Sequence, residues 1–117
     1  TCALPILIIG LVRFLDTENT VAGPLDEFAQ CLDESGAIFY GAFWCPHCNE
    51  QKELFGSSVK YIPYIECSTP DRSRQLQVCV DAEIQAYPTW DFQDDSRKTG
   101  LISLEILSEK TGCVLPE

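Results

Sequence analysis

A chain of 117 residues, 45% hydrophobic and 22% charged, has the composition of one folded domain: too short for two and too apolar for a disordered tail. Eight basic against eighteen acidic side chains leave a formal charge of −10, which argues against a surface built to neutralise phosphates, so nucleic acid is not an expected partner. Seven cysteines, about 6% of the chain, are too few for a scaffold held up by disulfides and many for a reducing cytosol. An oxidising compartment is expected. The odd number requires at least one thiol to be free, bonded to another molecule, or part of a cycle in which it is only sometimes bonded.

In chain order, the first feature is the run Ala3–Val12, ten residues without a polar side chain. A membrane helix needs about 20, so the run reads either as a buried strand or as the end of a membrane span. Pro5 and Gly10 within it favour the second. Residues 1–20 are therefore expected to be an apolar segment and linker, and residues 21–117 a folded domain.

The spacing of Leu25, Phe28, Ala29 and Leu32 predicts an amphipathic helix, with Pro24 at its first position, Asp26 and Glu27 at the positive end of its dipole and Gly36 as its stop. Ala37–Trp44 is uncharged and does not alternate, which predicts a strand buried on both faces of a sheet covered by helices. Cys45-Pro46-His47-Cys48 follows without a loop and opens a second helix that runs toward Gly56. Tyr61–Cys67 reads as a strand with Pro63 near its start. Thr69-Pro70-Asp71 reads as the cap of a helix that buries Leu76, Cys79 and Val80 and ends near Ala82. Strands are expected at Thr89–Phe92 and Arg97–Leu101, and a last helix from Ser103 to Gly112 with Leu104, Leu107 and Thr111 on one face. This order describes an α/β fold, a central mixed four-stranded sheet with helices on both faces.

The chemistry concentrates at Cys45 and Cys48. Two cysteines three positions apart at the first turn of a helix can close a disulfide, and the first can present its sulfur to the unpaired N–H groups of the helix end. That arrangement favours thiolate over thiol. His47, when protonated, adds a positive charge beside Cys45, and a stabilised thiolate makes the disulfide a stronger oxidant. Two other readings compete: a zinc site drawn from Cys45, Cys48, Cys67 and Cys79, and an inert structural bridge. The zinc set lacks the usual two close pairs, since Cys67 and Cys79 stand twelve apart. An inert bridge has no use for a helix end or a histidine. No metal is expected.

Trp44-Cys45-Pro46-His47-Cys48 after an apolar strand, with Tyr87-Pro88-Thr89 some forty residues on, resembles the thioredoxin superfamily. The stretch Phe39–Gly56, with Tyr64-Ile65-Glu66-Cys67 and Tyr87-Pro88-Thr89-Trp90, is most similar to the thioredoxin-like domain fused to bacterial and plant homologues of vitamin K epoxide reductase. The likeness runs from about Leu25 to Gly112.

The resemblance implies a thioredoxin-like fold and a set of roles. Cys45 would be the exposed sulfur that forms a mixed disulfide with a client, Cys48 the partner that resolves it, and Pro88 a cis proline facing them. Tyr87 would offer its backbone to an extended client, and Trp44 and Pro46 would frame the pair. Cys67 and Cys79 match a second cysteine pair of the family, expected as a structural bridge rather than an electron relay. Cys2, Cys31 and Cys113 have no counterpart, and Cys31 reads as a small buried hydrophobe. One departure stands out: the buried acid that thioredoxins carry six residues before the first cysteine is Phe39 here. Neither Glu66 nor Glu83 can be given its task from sequence.

The expected activity is that of a thiol–disulfide oxidoreductase, working as an oxidant of client proteins with reduced cysteines. A disulfide reductase or isomerase, or a zinc-binding structural module, stands as the alternative. By the same resemblance the domain itself needs no cofactor. A quinone is expected in a membrane partner resembling vitamin K epoxide reductase, fused or separate, and the location would be periplasmic, lumenal or otherwise extracytoplasmic, tethered to a membrane.

Overall fold

A computed structural model describes residues 23–116. The apolar segment 1–20, with its membrane reading, and Cys2 lie outside them. The elements are α1 (Asp26–Glu34), β1 (Ile38–Gly41), α2 (Pro46–Glu53), a 3-10 segment (Gly56–Tyr61), β2 (Tyr64–Glu66), α3 (Gln77–Asp81), β3 (Thr89–Asp91), β4 (Arg97–Thr99) and α4 (Leu104–Thr111). No helix among the described residues is long and apolar enough to cross a membrane.

The strands form one sheet in the order β2-β1-β3-β4, with β1 and β2 parallel and the other two pairings antiparallel. This is the mixed four-stranded sheet expected. The parallel pair is joined through α2, as a parallel connection requires. Alternation along β1 separates two cores. Phe39 stacks on its register partner Trp90 at 4.9 Å and shares one buried cluster with Phe28, Ala29 and Leu32 of α1, Phe55, and Leu107 of α4. Tyr40 enters the second cluster, with Cys67, Cys79 of α3 and Ile84. Helices thus cover both faces.

Several boundaries differ from expectation, each for a local reason. Pro24 is not the first residue of α1, because the Asp26 carboxylate turns back to accept the Gly23 N–H at 2.8 Å and leaves Pro24 in a turn ahead of the helix. The apolar run Ala37–Trp44 is a strand only to Gly41; Phe43 and Trp44 are exposed where the chain bends into α2. Pro63 stands just outside β2, yet its carbonyl accepts the Phe39 N–H at 2.8 Å and so extends the pairing that its missing N–H cannot. Thr69-Pro70-Asp71 caps no helix. Asp71 instead accepts from the Thr69 hydroxyl at 2.7 Å and the Ser73 N–H at 3.0 Å, closing a loop on itself, and α3 begins only after Leu76. With five residues, α3 buries Cys79 and leaves Val80 exposed. At α4 the reading holds: the Ser103 hydroxyl accepts the Ile106 N–H at 3.2 Å, and Gly112 ends the helix in the left-handed region at φ 78°.

Candidate active site

Cys45 is the N-cap of α2 and Pro46 opens its first turn, where a missing N–H costs nothing because that group has no partner within a helix. Both Cys45 and Cys48 are free thiols in this structure. Cys45 is buried rather than exposed, with 7% of its surface reaching solvent against 0% for Cys48. The order of access is still the one expected from sequence. The Cys45 thiol donates to the Tyr87 carbonyl at 3.7 Å, the Tyr87–Pro88 peptide bond is cis, and Pro88 is fully buried.

Cys48 sits behind this pair, on the last residue of β1. A Cβ on Gly41 would lie 3.0 Å from the Cys48 sulfur and 2.9 Å from Cε1 of Tyr64, so the missing side chain is the space that both occupy. Burial pushes the Cys48 thiol up from 9.0 to about 12; neighbouring Cys45 adds to this, while the Ala42 backbone and the Lys52 charge pull the other way. At neutral pH Cys48 therefore keeps its proton.

A polar brace surrounds the pair. The Tyr64 hydroxyl donates to Glu66 Oε1 at 2.7 Å, and Glu66 Oε2 accepts the N–H groups of Phe43 at 3.1 Å and Ser68 at 3.0 Å. Burial, with this bond to Glu66, holds the Tyr64 phenol well above its ordinary range. The Ser68 hydroxyl accepts from Trp44 Nε1 at 2.8 Å, and the Trp44 ring meets the Tyr87 ring edge-on at 6.0 Å. Trp44 is consequently fixed as a partly exposed wall beside Cys45 rather than a core residue. Buried Gln51 ties α2 to the chain ahead of α4 through two bonds to Ile102, at 3.0 and 2.9 Å.

His47 points to solvent. Its Nδ1 lies 3.0 Å from Glu50 Oε1, with two thirds of the ring exposed, so any charge it carries is shared with that carboxylate. Cys67 and Cys79 are joined in a disulfide between the end of β2 and α3. Bonded sulfurs cannot serve as zinc thiolates, and among the described residues no group of side chains is arranged to hold a metal. Cys31 is not a lone buried thiol: it is bonded to Cys113, tying α1 to the chain after α4. Sequence spacing carries no mark of that pair, because 82 positions separate them.

Sequence reasoning placed Cys45, Cys48, Trp44, Tyr87 and Pro88 in one locality, and the structure brings them together. It did not find Gly41, Lys52, Tyr64 or Ser68, and it left Glu66 without a task. Glu83 lies elsewhere, its carbonyl accepting from Arg97. The usable signal for Tyr64 and Glu66 was the parallel pairing of β1 with β2, which sets Phe39 opposite Tyr64 and Gly41 opposite Glu66.

No family model matches the chain. It is 44% identical over 94 residues to thiol-disulfide oxidoreductase LTO1 of Arabidopsis thaliana, a match covering 76% of this chain and 24% of that protein. It is 32% identical over 101 residues to thioredoxin domain-containing protein 2 of Mus musculus, covering 80% of this chain and 18% of that protein. The chain thus spans less than a quarter of the length of either curated relative.

Proposed function

We propose, for a chain that belongs to the thioredoxin superfamily, that it catalyses thiol–disulfide exchange through Cys45 and Cys48 and works as an oxidant of client thiols. The observation that carries this is the asymmetry of the pair: Cys45 at the mouth of α2 beside the Tyr87 carbonyl, Cys48 sealed behind it and holding its proton. A client thiolate attacks Cys45 of the oxidised pair, and the electrons of the broken S–S bond go to Cys48, which takes up a proton. A second client thiolate attacks the client sulfur of the mixed disulfide and releases Cys45. The client leaves with a disulfide and the domain with two thiols.

In this reading an extended client lies along the Tyr87 backbone, with Trp44 and Pro46 as walls. Negative charge developing on Cys45 meets the positive end of α2, and His47, when protonated, adds to it. Both effects favour the dithiol and so raise the oxidising power of the disulfide. Regeneration falls to a membrane partner resembling vitamin K epoxide reductase, which passes the electrons to a quinone; the domain holds no cofactor of its own. Support for that partner is the resemblance of the motif region, and an extracytoplasmic, membrane-tethered location goes with it.

The test is equilibration with glutathione. A potential well above the roughly −270 mV of thioredoxin is expected, and His47→Ala should lower it by roughly 30 mV, a tenfold change in the exchange equilibrium. A domain as reducing as thioredoxin, with no effect of His47→Ala, would overturn the oxidant reading in favour of a reductase.

A further inference from the structure

The exchange proposed for Cys45 and Cys48 puts negative charge on a sulfur with no solvent contact, both in turnover and in escape from a stalled intermediate. When a client attacks oxidised Cys45, Cys48 leaves as a thiolate and then takes a proton from water. When Cys48 rescues a stalled mixed disulfide, it gives a proton to water and attacks Cys45; the Cys45–client bond breaks and the client leaves as a thiolate. Either way an anion forms where charge is costly unless paired.

The surroundings of Cys48 narrow what can pair with it. From β1 and the residue after it come Gly41, without a side chain, Phe39, a hydrocarbon ring, and the Ala42 backbone, which bonds the sulfur but carries no net charge. From β2 come Tyr64 and Glu66, whose carboxylate is already engaged by the Tyr64 hydroxyl and the N–H groups of Phe43 and Ser68. From the same turn comes Cys45. From α2, one turn beyond Cys48 and on the same side of the helix, comes Lys52. Its Nζ lies 3.9 Å from the centre of the Tyr64 ring, and the edge of that ring shares with the Cys48 sulfur the space over Gly41.

We propose that Lys52 is the charge that makes Cys48 usable: seated on the Tyr64 face, its ammonium offsets the anion on Cys48 whenever that sulfur attacks or leaves, and the Tyr64–Glu66 bond fixes the seat. The cation–π contact holds the ammonium without neutralising it, as a carboxylate partner would. The direction of the Lys52 effect on the Cys48 thiol agrees. Lys52 is a positioning residue, since it acts through Cys48 and touches no client.

This inference rests on the reading of Cys45 and Cys48 as the exchanging pair, and one experiment separates the two. The domain, carrying Cys2→Ser in every sample and with the Cys45–Cys48 pair reduced while the Cys31–Cys113 and Cys67–Cys79 bridges stay closed, is mixed with excess Ellman's reagent. The first release of thionitrobenzoate reports attack by Cys45 and scales with reagent; the second reports attack by Cys48 on the Cys45 adduct and does not. In Lys52→Met the first release should stay within about twofold of the domain that keeps Lys52. The second should slow roughly tenfold at neutral pH, its pH profile moving up by about one unit. Lys52→Arg should restore most of it. Should Lys52→Met fail to fold, Tyr64→Leu, which removes the seat and keeps the charge, should show the same selective slowing. An unchanged second release in Lys52→Met, or in Tyr64→Leu where that variant stands in, overturns the role of Lys52 and leaves the exchange reading intact. A domain that keeps Lys52 and Tyr64 and gives no second release overturns the exchange reading itself.

Discussion

The Cys48 sulfur lies over the α-carbon of Gly41, 3.0 Å from where a Cβ would be, with the Tyr64 ring closing the same space from the neighbouring strand. Glycine in a strand is weak by propensity, and here it marks a close approach. Gly41→Ala must displace either the sulfur or the ring, both held in a filled interior. Crowding of this kind costs about 1–3 kcal/mol. Urea unfolding of the reduced domain should show a loss in that range, and a neutral substitution would mean that the space over Gly41 is not filled in solution.

The Cys31–Cys113 bridge should dominate thermal stability. It closes a loop of 82 positions and Cys67–Cys79 one of 12, and loop-closure entropy assigns about 4.5 kcal/mol to the first and about 3 kcal/mol to the second. Replacing Cys31 and Cys113 together by Ala is expected to lower Tm by at least 15 °C, at about 4–8 °C per kcal/mol for a domain of this size. Replacing Cys67 and Cys79 should lower it less. Differential scanning calorimetry of the two double variants checks the order, and a reversed order would show that the short bridge does more than close a loop.

Cys48 should also leave a signature in alkali. Its folded-state value, about 12, lies above the ordinary 9.0, so the unfolded chain loses this proton first. The stabilisation is fully present below about pH 9 and is lost as pH rises toward about 12. Only the dithiol form has this group. The urea midpoint of the reduced domain minus that of the oxidised domain should therefore fall across the window, a difference that removes the part of the Tyr64 titration set by burial and Glu66 in both forms. A constant difference would place Cys48 in contact with water.

Much of this was legible in the residues alone, because local rules suffice where a feature is local. The Ser103 cap, the Gly112 stop, the helix opened by Pro46 and the uncharged run before it each depend on neighbours a few positions away. What escaped was set by distance in the chain. Asp26 moved the start of α1 because its carboxylate also accepts from Ser58, 32 positions on. Glu66 could be given no task until the parallel register placed it under the N–H of Phe43. Trp44, expected to frame the pair, is fixed partly exposed by Ser68, which lies beyond β2. Cys31 and Cys113 could be paired only once α1 and the end of α4 were seen to meet.

The difference between the two active-site sulfurs is the claim on which the mechanism stands, and glutathione disulfide tests it with one substitution at a time. Cys48→Ser, treated with it and mapped by peptide mass spectrometry, should carry glutathione on Cys45. Cys45→Ser, treated alike, should leave Cys48 unmodified, since that thiol is sealed and protonated. Equal modification of the two cysteines, or modification of Cys48 in preference to Cys45, would contradict the assignment of Cys45 as the sulfur that meets clients.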